Sequence, residues 1–299
     1  MSPRVVVGIP AYNEERNIRY ILRDILRQEL PEGFSIAKVL VVADGCTDRT
    51  VEVVRELARR YPVIKLISET KRLGQTWAIN QIIKNADGDV LVILCADTRL
   101  SSKTTIKALL MPLEEDKSVG AVVGRAIPIN DRRTTWGFIA HIHYSLLYEP
   151  EHLAVDFGSM TAMRSELLRP IPRWVMVPEL YIDFVIKSKG YKVIHEPKAV
   201  VYMKQPDNIW DYIEQKRRDT FHILYLRRRG IIVKRRTPAR LIRAFIKGLA
   251  IGVRKLHRIL LMASIWAICY ALALTDMLFK RYERYSLWRP ISSTKVEIL

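Results

Sequence analysis

Apolar residues recur through the first hundred positions in short blocks separated by polar loops. Arg4–Ile9 (RVVVGI) reads as a buried strand that ends in the loop PAYNEE. Asn17–Leu26 has the apolar spacing of a helix. Ala37–Val42 is a second strand, followed by ADGCTDRT and a helix over Val51–Arg60. Val63–Ser68, Thr76–Asn85 and Asp89–Leu94 continue as strand, helix and strand. Strands alternating with helices predict an α/β fold with a doubly wound, mostly parallel sheet. In such sheets ligands bind at the carboxyl ends of the strands, where PAYNEE, ADGCTDRT and CADTRL all fall.

The second half is less regular. Strands are expected at Gly120–Ile127, Phe157–Met163, Tyr191–His195 and Ala199–Tyr202, and helices at Trp136–Tyr148, near Arg164–Leu168 and at Val177–Lys189, where Gly190 ends the last. Beyond Pro206 basic helices are expected. The pattern changes again after residue 236, which sets two segments: a catalytic domain over 1–236 and a membrane-associating segment over 237–299. With angles of about 100° per residue, Arg240, Arg243, Lys247, Arg254 and Arg258 fall on one helix face, and Leu241, Ile242, Phe245, Ile246, Leu249, Val253 and Leu256 fall opposite. A basic amphipathic helix of this kind lies at an anionic membrane surface. The apolar run Ile259–Leu274 follows. It is short of the roughly 20 residues needed to span, so embedding without spanning is favoured over a single span.

Charge supports that division. The net charge is +18, and Lys204–Arg258 holds 16 Lys/Arg against 4 Asp/Glu. Charge alone also suits nucleic acid, but here it is joined to an apolar helix face, so no nucleic-acid partner is expected. The three cysteines, Cys46, Cys95 and Cys269, form neither a zinc pattern nor an evident disulfide pair. The chain enters its first strand without a signal peptide. The expected location is the cytoplasmic face of the cell membrane.

VVVGIPAYNEE, VVADGCTDRT, KRLGQTWAIN and GDVLVILCADTRL, followed by PELYIDFVIKSKGYKVIHEPKAVVY, resemble in order and spacing the motifs of family 2 glycosyltransferases, over about Val5–Tyr202. The resemblance implies the GT-A fold, a nucleotide-sugar donor (UDP or GDP) and a divalent metal, Mg²⁺ or Mn²⁺. It implies that Asp44 contacts the donor base, with helix capping as the alternative, and that Pro10, Tyr12 and Glu14 match the base- and ribose-binding loop. Tyr12 is equally an ordinary surface aromatic. Lys71 and Arg72, at the third strand's exit, are candidates for the phosphates or plain surface charges.

CADTRL matches the family's D-x-D site with Cys95 in place of the first carboxylate, so Asp97 is the implied metal ligand. Met203 stands where some relatives carry a metal-ligating His, and His195 nearby reads as structural. Counted back from Gly190, Glu179 occupies the position of the family's catalytic base, as Glu instead of Asp. Asp183 lies one helical turn on, on the same face. Their structural alternative is a solvated face paired with Lys187. IEQKRRD resembles the Q-x-x-R-W motif of processive polysaccharide synthases, with Asp219 replacing the Trp. Gln215, Arg217 and Arg218 are therefore candidates for diphosphate or acceptor, or simply a basic helix.

These features imply an inverting glycosyltransferase acting on a lipid-linked or membrane-associated acceptor such as a polyprenyl phosphate. The alternatives are a processive, synthase-like enzyme and a degenerate, non-catalytic membrane adaptor, the latter motivated by Cys95 and Glu179.

Overall fold

The computed structural model describes residues 2–147, 159–231, 246, 256–282, 285, 287 and 291–298. They divide by contact into two units. One comprises Met1–Ile127, Val155–Met203 and Lys295–Leu299, the other Pro128–Ala154 and Lys204–Thr294. The division by contact follows Met203, because the helix after it packs with the later apolar helix, as described below; the expected boundary at residue 236 lies outside the described residues.

The first unit begins with the alternation read from the sequence: β1 (Arg4–Ala11), α1 (Ile18–Leu26), β2 (Ser35–Asp44), α2 (Thr50–Arg60), β3 (Ile64–Glu69), α3 (Gln75–Asn85) and β4 (Val90–Leu94). Then come β5 (Thr98–Leu100), α4 (Thr105–Glu115), β6 (Val119–Pro128), β7 (Met160–Arg164), α6 (Pro178–Ser188) and β8 (Lys192–Met203). The remaining helix of this stretch, α5 (Thr135–Leu147), belongs to the second unit. The described strands form one sheet in the order β3-β2-β1-β4-β7-β6-β8-β5. β3, β2, β1 and β4 pair in parallel, whereas β7 is antiparallel to both β4 and β6, and β5 to β8. The sheet is therefore parallel where βαβ crossovers build it and antiparallel beyond.

Burial explains the regular half. Val5–Val7 and Val39–Val42 lie at 0–2% exposure, as continuous apolar runs do when helices cover both faces. One core joins Val6, Leu40 and Leu91 of the sheet to Ile79 and Ile82 of α3 and Ile182 and Ile186 of α6. Three expectations change. The CADTRL loop contains the short strand β5, which pairs Thr98 with Met203. The two runs near residues 191–202 are one strand, and the helix near Arg164–Leu168 is a 3₁₀ turn over Ser165–Leu167.

The second unit contains α5, α7 (Ile209–Arg228) and α8 (Leu256–Leu278). Phe138, Ile139 and Ile142 of α5 share a core with Tyr212 of α7 and with Ile259, Met262, Ile265 and Cys269 of α8. Helix α8 has 23 residues, longer than the expected apolar run because Leu256–Arg258 and Thr275–Leu278 extend it, and it is long and apolar enough to cross a membrane. Leu260, Ile268, Leu274 and Leu278 are 40–77% exposed along it. The amphipathic helix expected from Arg240 to Arg258 lies largely outside the described residues.

Candidate active site

The loops after β1 and β2 are tied together by their own polar side chains. Asn13 has a left-handed backbone (φ 53°). Its side chain donates to Thr47 Oγ1 at 3.1 Å and accepts from Thr47 N at 2.8 Å. Thr50 Oγ1 accepts from Glu14 N at 2.7 Å. Asp48 accepts from Thr50 N at 3.0 Å, just before α2.

Asp44 closes β2 and is 4% exposed. Its two carboxylate oxygens accept from Leu73 N at 2.6 Å and Gly74 N at 2.7 Å. Asp44 therefore anchors the loop carrying Lys71 and Arg72, and a donor base N–H would be an additional bond to a carboxylate already in use. Gly45 permits this approach. Its φ is +66°, and a Cβ there would lie 2.5 Å from Arg72 N. The Arg72 guanidinium stacks 3.7 Å above the Tyr12 ring, so Tyr12 is engaged as a cation–π platform. Pro10 is half-buried in β1, and Lys71 is exposed.

Three carboxylates act electrostatically on Cys95, the residue that follows β4. Asp97, Glu179 and Glu14 all push up the thiol pKa of Cys95, after burial as the largest cause, and Lys295 opposes them. The Cys95 thiol is held neutral. Glu14 is 4% exposed. Burial and the neighbouring Asp97 raise its pKa to about 7, against the pull of Lys295. Glu179 stands in the first turn of α6, which begins with Pro178, a residue suited to that position. Gln75, at the start of α3, donates to the Glu179 carboxylate. The segment leading into α6 is fixed to α3 by Asn80, which donates to Ile171 O at 2.8 Å and accepts from Ile171 N at 2.7 Å. Glu179 is thus held by two helices.

Asp183 behaves differently. It pairs with Lys187 on its own helix at 2.6 Å. Burial raises its pKa. The structural alternative read from the sequence describes it better than a place among the acids that act on Cys95.

Gln215, Arg217 and Arg218 lie on α7 of the second unit. Arg217 makes a bidentate pair with Asp276 of α8, with both bonds at 2.7 Å. Asp276 is fully buried and also accepts from Tyr285. A buried carboxylate on an apolar helix needs a countercharge, and Arg217 supplies it, so a diphosphate or acceptor would compete with Asp276 for this guanidinium. Arg218 is 8% exposed, and its guanidinium lies 3.7 Å from Asp219. Gln215 is half-buried.

The metal expectation can be tested on donor chemistry. Mg²⁺ and Mn²⁺ favour oxygen ligands. Asp97 is such a ligand, but Cys95 offers a neutral thiol. Met203, paired with Thr98, offers a thioether that accepts from Ser159 Oγ at 3.4 Å. No group of three His, Cys, Asp or Glu suited to a metal occurs among the described residues. The chain's own groups fit a divalent ion only as one carboxylate, to be completed by phosphate oxygens.

The decisive comparison is with sequence families. The model of Glycosyl transferase family 2 matches residues 6–171, more than half of the chain. The chain belongs to this family. Its fold is the GT-A fold. It is 25% identical over 224 residues to the probable glycosyltransferase YdaM of Bacillus subtilis, covering 70% of this chain and 53% of that protein. It is 26% identical over 157 residues to the beta-monoglucosyldiacylglycerol synthase of a Nostoc species, covering 51% and 33%. The chain thus spans at most about half the length of these relatives. Among solved structures, the mannosyltransferase PcManGT from Pyrobaculum calidifontis, in complex with GDP-Man and Mn²⁺, superposes with a TM-score of 0.61 at 24% identity, covering 96% of this chain and 84% of that one. Glucosyl-3-phosphoglycerate synthase from Mycobacterium tuberculosis, with Mn²⁺, UDP and phosphoglyceric acid, gives 0.55 at 16% identity, covering 77% and 80%.

Sequence reading missed Lys295. Its partners are more than 280 positions away, and no local pattern marks it.

Proposed function

We propose that this glycosyltransferase moves a sugar, with inversion, from a UDP- or GDP-sugar to a lipid-linked acceptor at the cytoplasmic face of a membrane. The observation that carries the donor half is the placement of buried Glu14 just after β1, of Cys95 and Asp97 just after β4, and of Glu179, held by Gln75, in the first turn of α6. Tyr12 and Arg72 form a flat cationic platform for the base and ribose, with Pro10 in the preceding strand and Lys71 beside it. Asp97 is the carboxylate that would hold a divalent ion against the donor diphosphate, in keeping with the Mn²⁺ bound in the solved relatives. Such an ion supplies countercharge to the leaving group.

Glu179 serves as the base. The acceptor oxygen attacks the anomeric carbon, the acceptor proton passes to the Glu179 carboxylate, and the bond to the nucleoside diphosphate breaks on the opposite side. Gln75 fixes the orientation of that carboxylate. An acceptor that is already an ionised phosphate needs no such transfer.

The lipid half rests on α8, whose exposed apolar residues suit a bilayer, on the basic stretch Lys204–Arg258, and on the relative named as a beta-monoglucosyldiacylglycerol synthase. A poly-beta-1,6-N-acetyl-D-glucosamine synthase of Staphylococcus epidermidis is also related, at 22% identity over 219 residues. Asp219, where the processive motif has Trp, removes a stacking surface for a growing glycan and favours a single transfer. The test is a screen of radiolabelled UDP- and GDP-sugars with the purified chain and a membrane lipid extract. Label should enter the organic phase with one donor. Neither transfer nor donor hydrolysis from any donor would support the non-catalytic adaptor instead.

A further inference from the structure

The last described residues return to the first unit as a strap along α1 and β5. Ile298 is 1% exposed. Its N–H donates to Asn17 Oδ1 at 3.2 Å, and its carbonyl accepts from Arg99 at 2.7 Å. Arg99 is itself held by Asp24 at 2.7 Å. Glu297 accepts from the Tyr20 hydroxyl. These contacts hold Glu297 and Ile298 against α1 and β5, two positions beyond a lysine.

That residue, Lys295, points its ammonium into the acidic cluster. Nζ donates to the Tyr12 carbonyl at 3.1 Å and to the buried Glu14 carboxylate. Three carboxylates and this one cation act on Cys95. An incoming diphosphate adds further negative charge to a place where acids already outnumber cations. In the family pattern a metal held by two carboxylates meets that need. Here the first of those carboxylates is a neutral thiol and the neighbouring position is Met203, so the protein's share of a metal site is one carboxylate. A resident ammonium already sits on Glu14 and the Tyr12 carbonyl in the loop after β1, and a lysine serves as a point charge for phosphate.

We infer that Lys295 is a donor-binding residue: its ammonium supplies a built-in cation for the diphosphate of the nucleotide sugar and makes good the thin metal shell left by Cys95. The inference rests on the donor reading above. It means that the strap is part of the donor site, and that nucleotide binding depends less on divalent metal than a two-carboxylate site would require.

Isothermal titration of UDP and GDP into the full chain, in EDTA and in Mn²⁺, tests this with wild type, Lys295→Met and Lys295→Arg. Methionine keeps the aliphatic stem without charge, and arginine keeps the charge. Melting curves confirm that each variant folds. The wild type should bind one of the two nucleotides in EDTA. Lys295→Met should weaken that binding by about 10–100-fold, the worth of a charge-assisted contact, with a smaller loss in Mn²⁺, and Lys295→Arg should retain it. Equal or tighter binding by folded Lys295→Met in EDTA would overturn the inference, and tighter binding would make the lysine a plug that the donor displaces. Wild type that binds only with Mn²⁺ would also overturn it while leaving the donor reading intact. Wild type that binds neither nucleotide under either condition would remove the donor reading itself.

Discussion

The two units each bury carboxylates among apolar residues, and they treat them in opposite ways. In the second unit Asp276 meets Arg217 in a bidentate pair and accepts from Tyr285 besides. Its charge is matched and its oxygens are occupied. In the first unit buried Glu14 and Glu179 and half-buried Asp97 all push up the Cys95 thiol, with Lys295 as the opposing charge, and Glu14 is pushed up to about 7. A matched buried charge holds helices together. An excess of buried acid is costly and persists where a cationic or phosphate-bearing ligand completes it. The comparison separates structural from functional acids where residue type alone does not.

The largest expected effect is at the proposed base. Glu179→Gln keeps shape and the contact with Gln75 but cannot take a proton, so transfer to a hydroxyl acceptor should fall by about 10²–10⁴-fold in kcat with donor binding retained. Nearly normal transfer would mean either an ionised phosphate acceptor or a base elsewhere.

Next is the matched pair. Arg217→Met strands a fully buried carboxylate and should cost about 3–5 kcal/mol of stability in denaturant titration. Adding Asp276→Leu should recover much of that loss, because a buried pair replaced as a whole is often neutral. Failure of the double variant to recover would show that Asp276 has a role beyond its pair.

Asp183→Asn removes only an i,i+4 partner of Lys187, so a stability change of about 0.5 kcal/mol and intact transfer are expected. A dead enzyme would move the base one turn along α6.

The smallest effect concerns His195. Burial and the neighbouring Arg125 hold its pKa down at about 4. The unfolded chain binds that proton near pH 6.5, so the folded state loses stability as pH falls from about 6.5 to about 4. Melting temperatures of His195→Gln should therefore decline less steeply over that window. An unchanged slope would show that His195 titrates normally.

The parallel half of the fold was legible because each βαβ step is local. Val5–Val7 and Val39–Val42 announce doubly covered strands, and the loops after them carry the polar residues. Helix α4 was missed although Ile106, Leu109, Leu110 and Leu113 have helical spacing, because Pro112 interrupts the pattern. The candidate site was legible at Asp97 and Glu179, whose neighbours in sequence form motifs. It was not legible at Lys295, which meets Glu14 across 281 positions. The pairing of Arg217 was hidden for the same reason, since its partner Asp276 is 59 positions away. Long-range charge pairing leaves no periodicity in a sequence.

The central claim is that the acids around Cys95 form the donor site, and Mn²⁺-dependent binding of UDP or GDP to Asp97→Ala tests it most directly. Equilibrium dialysis of labelled nucleotide, with and without Mn²⁺, should show that the wild type gains affinity from the metal and that Asp97→Ala does not. An equal gain in the variant would contradict the account by placing the nucleotide and its metal away from this cluster.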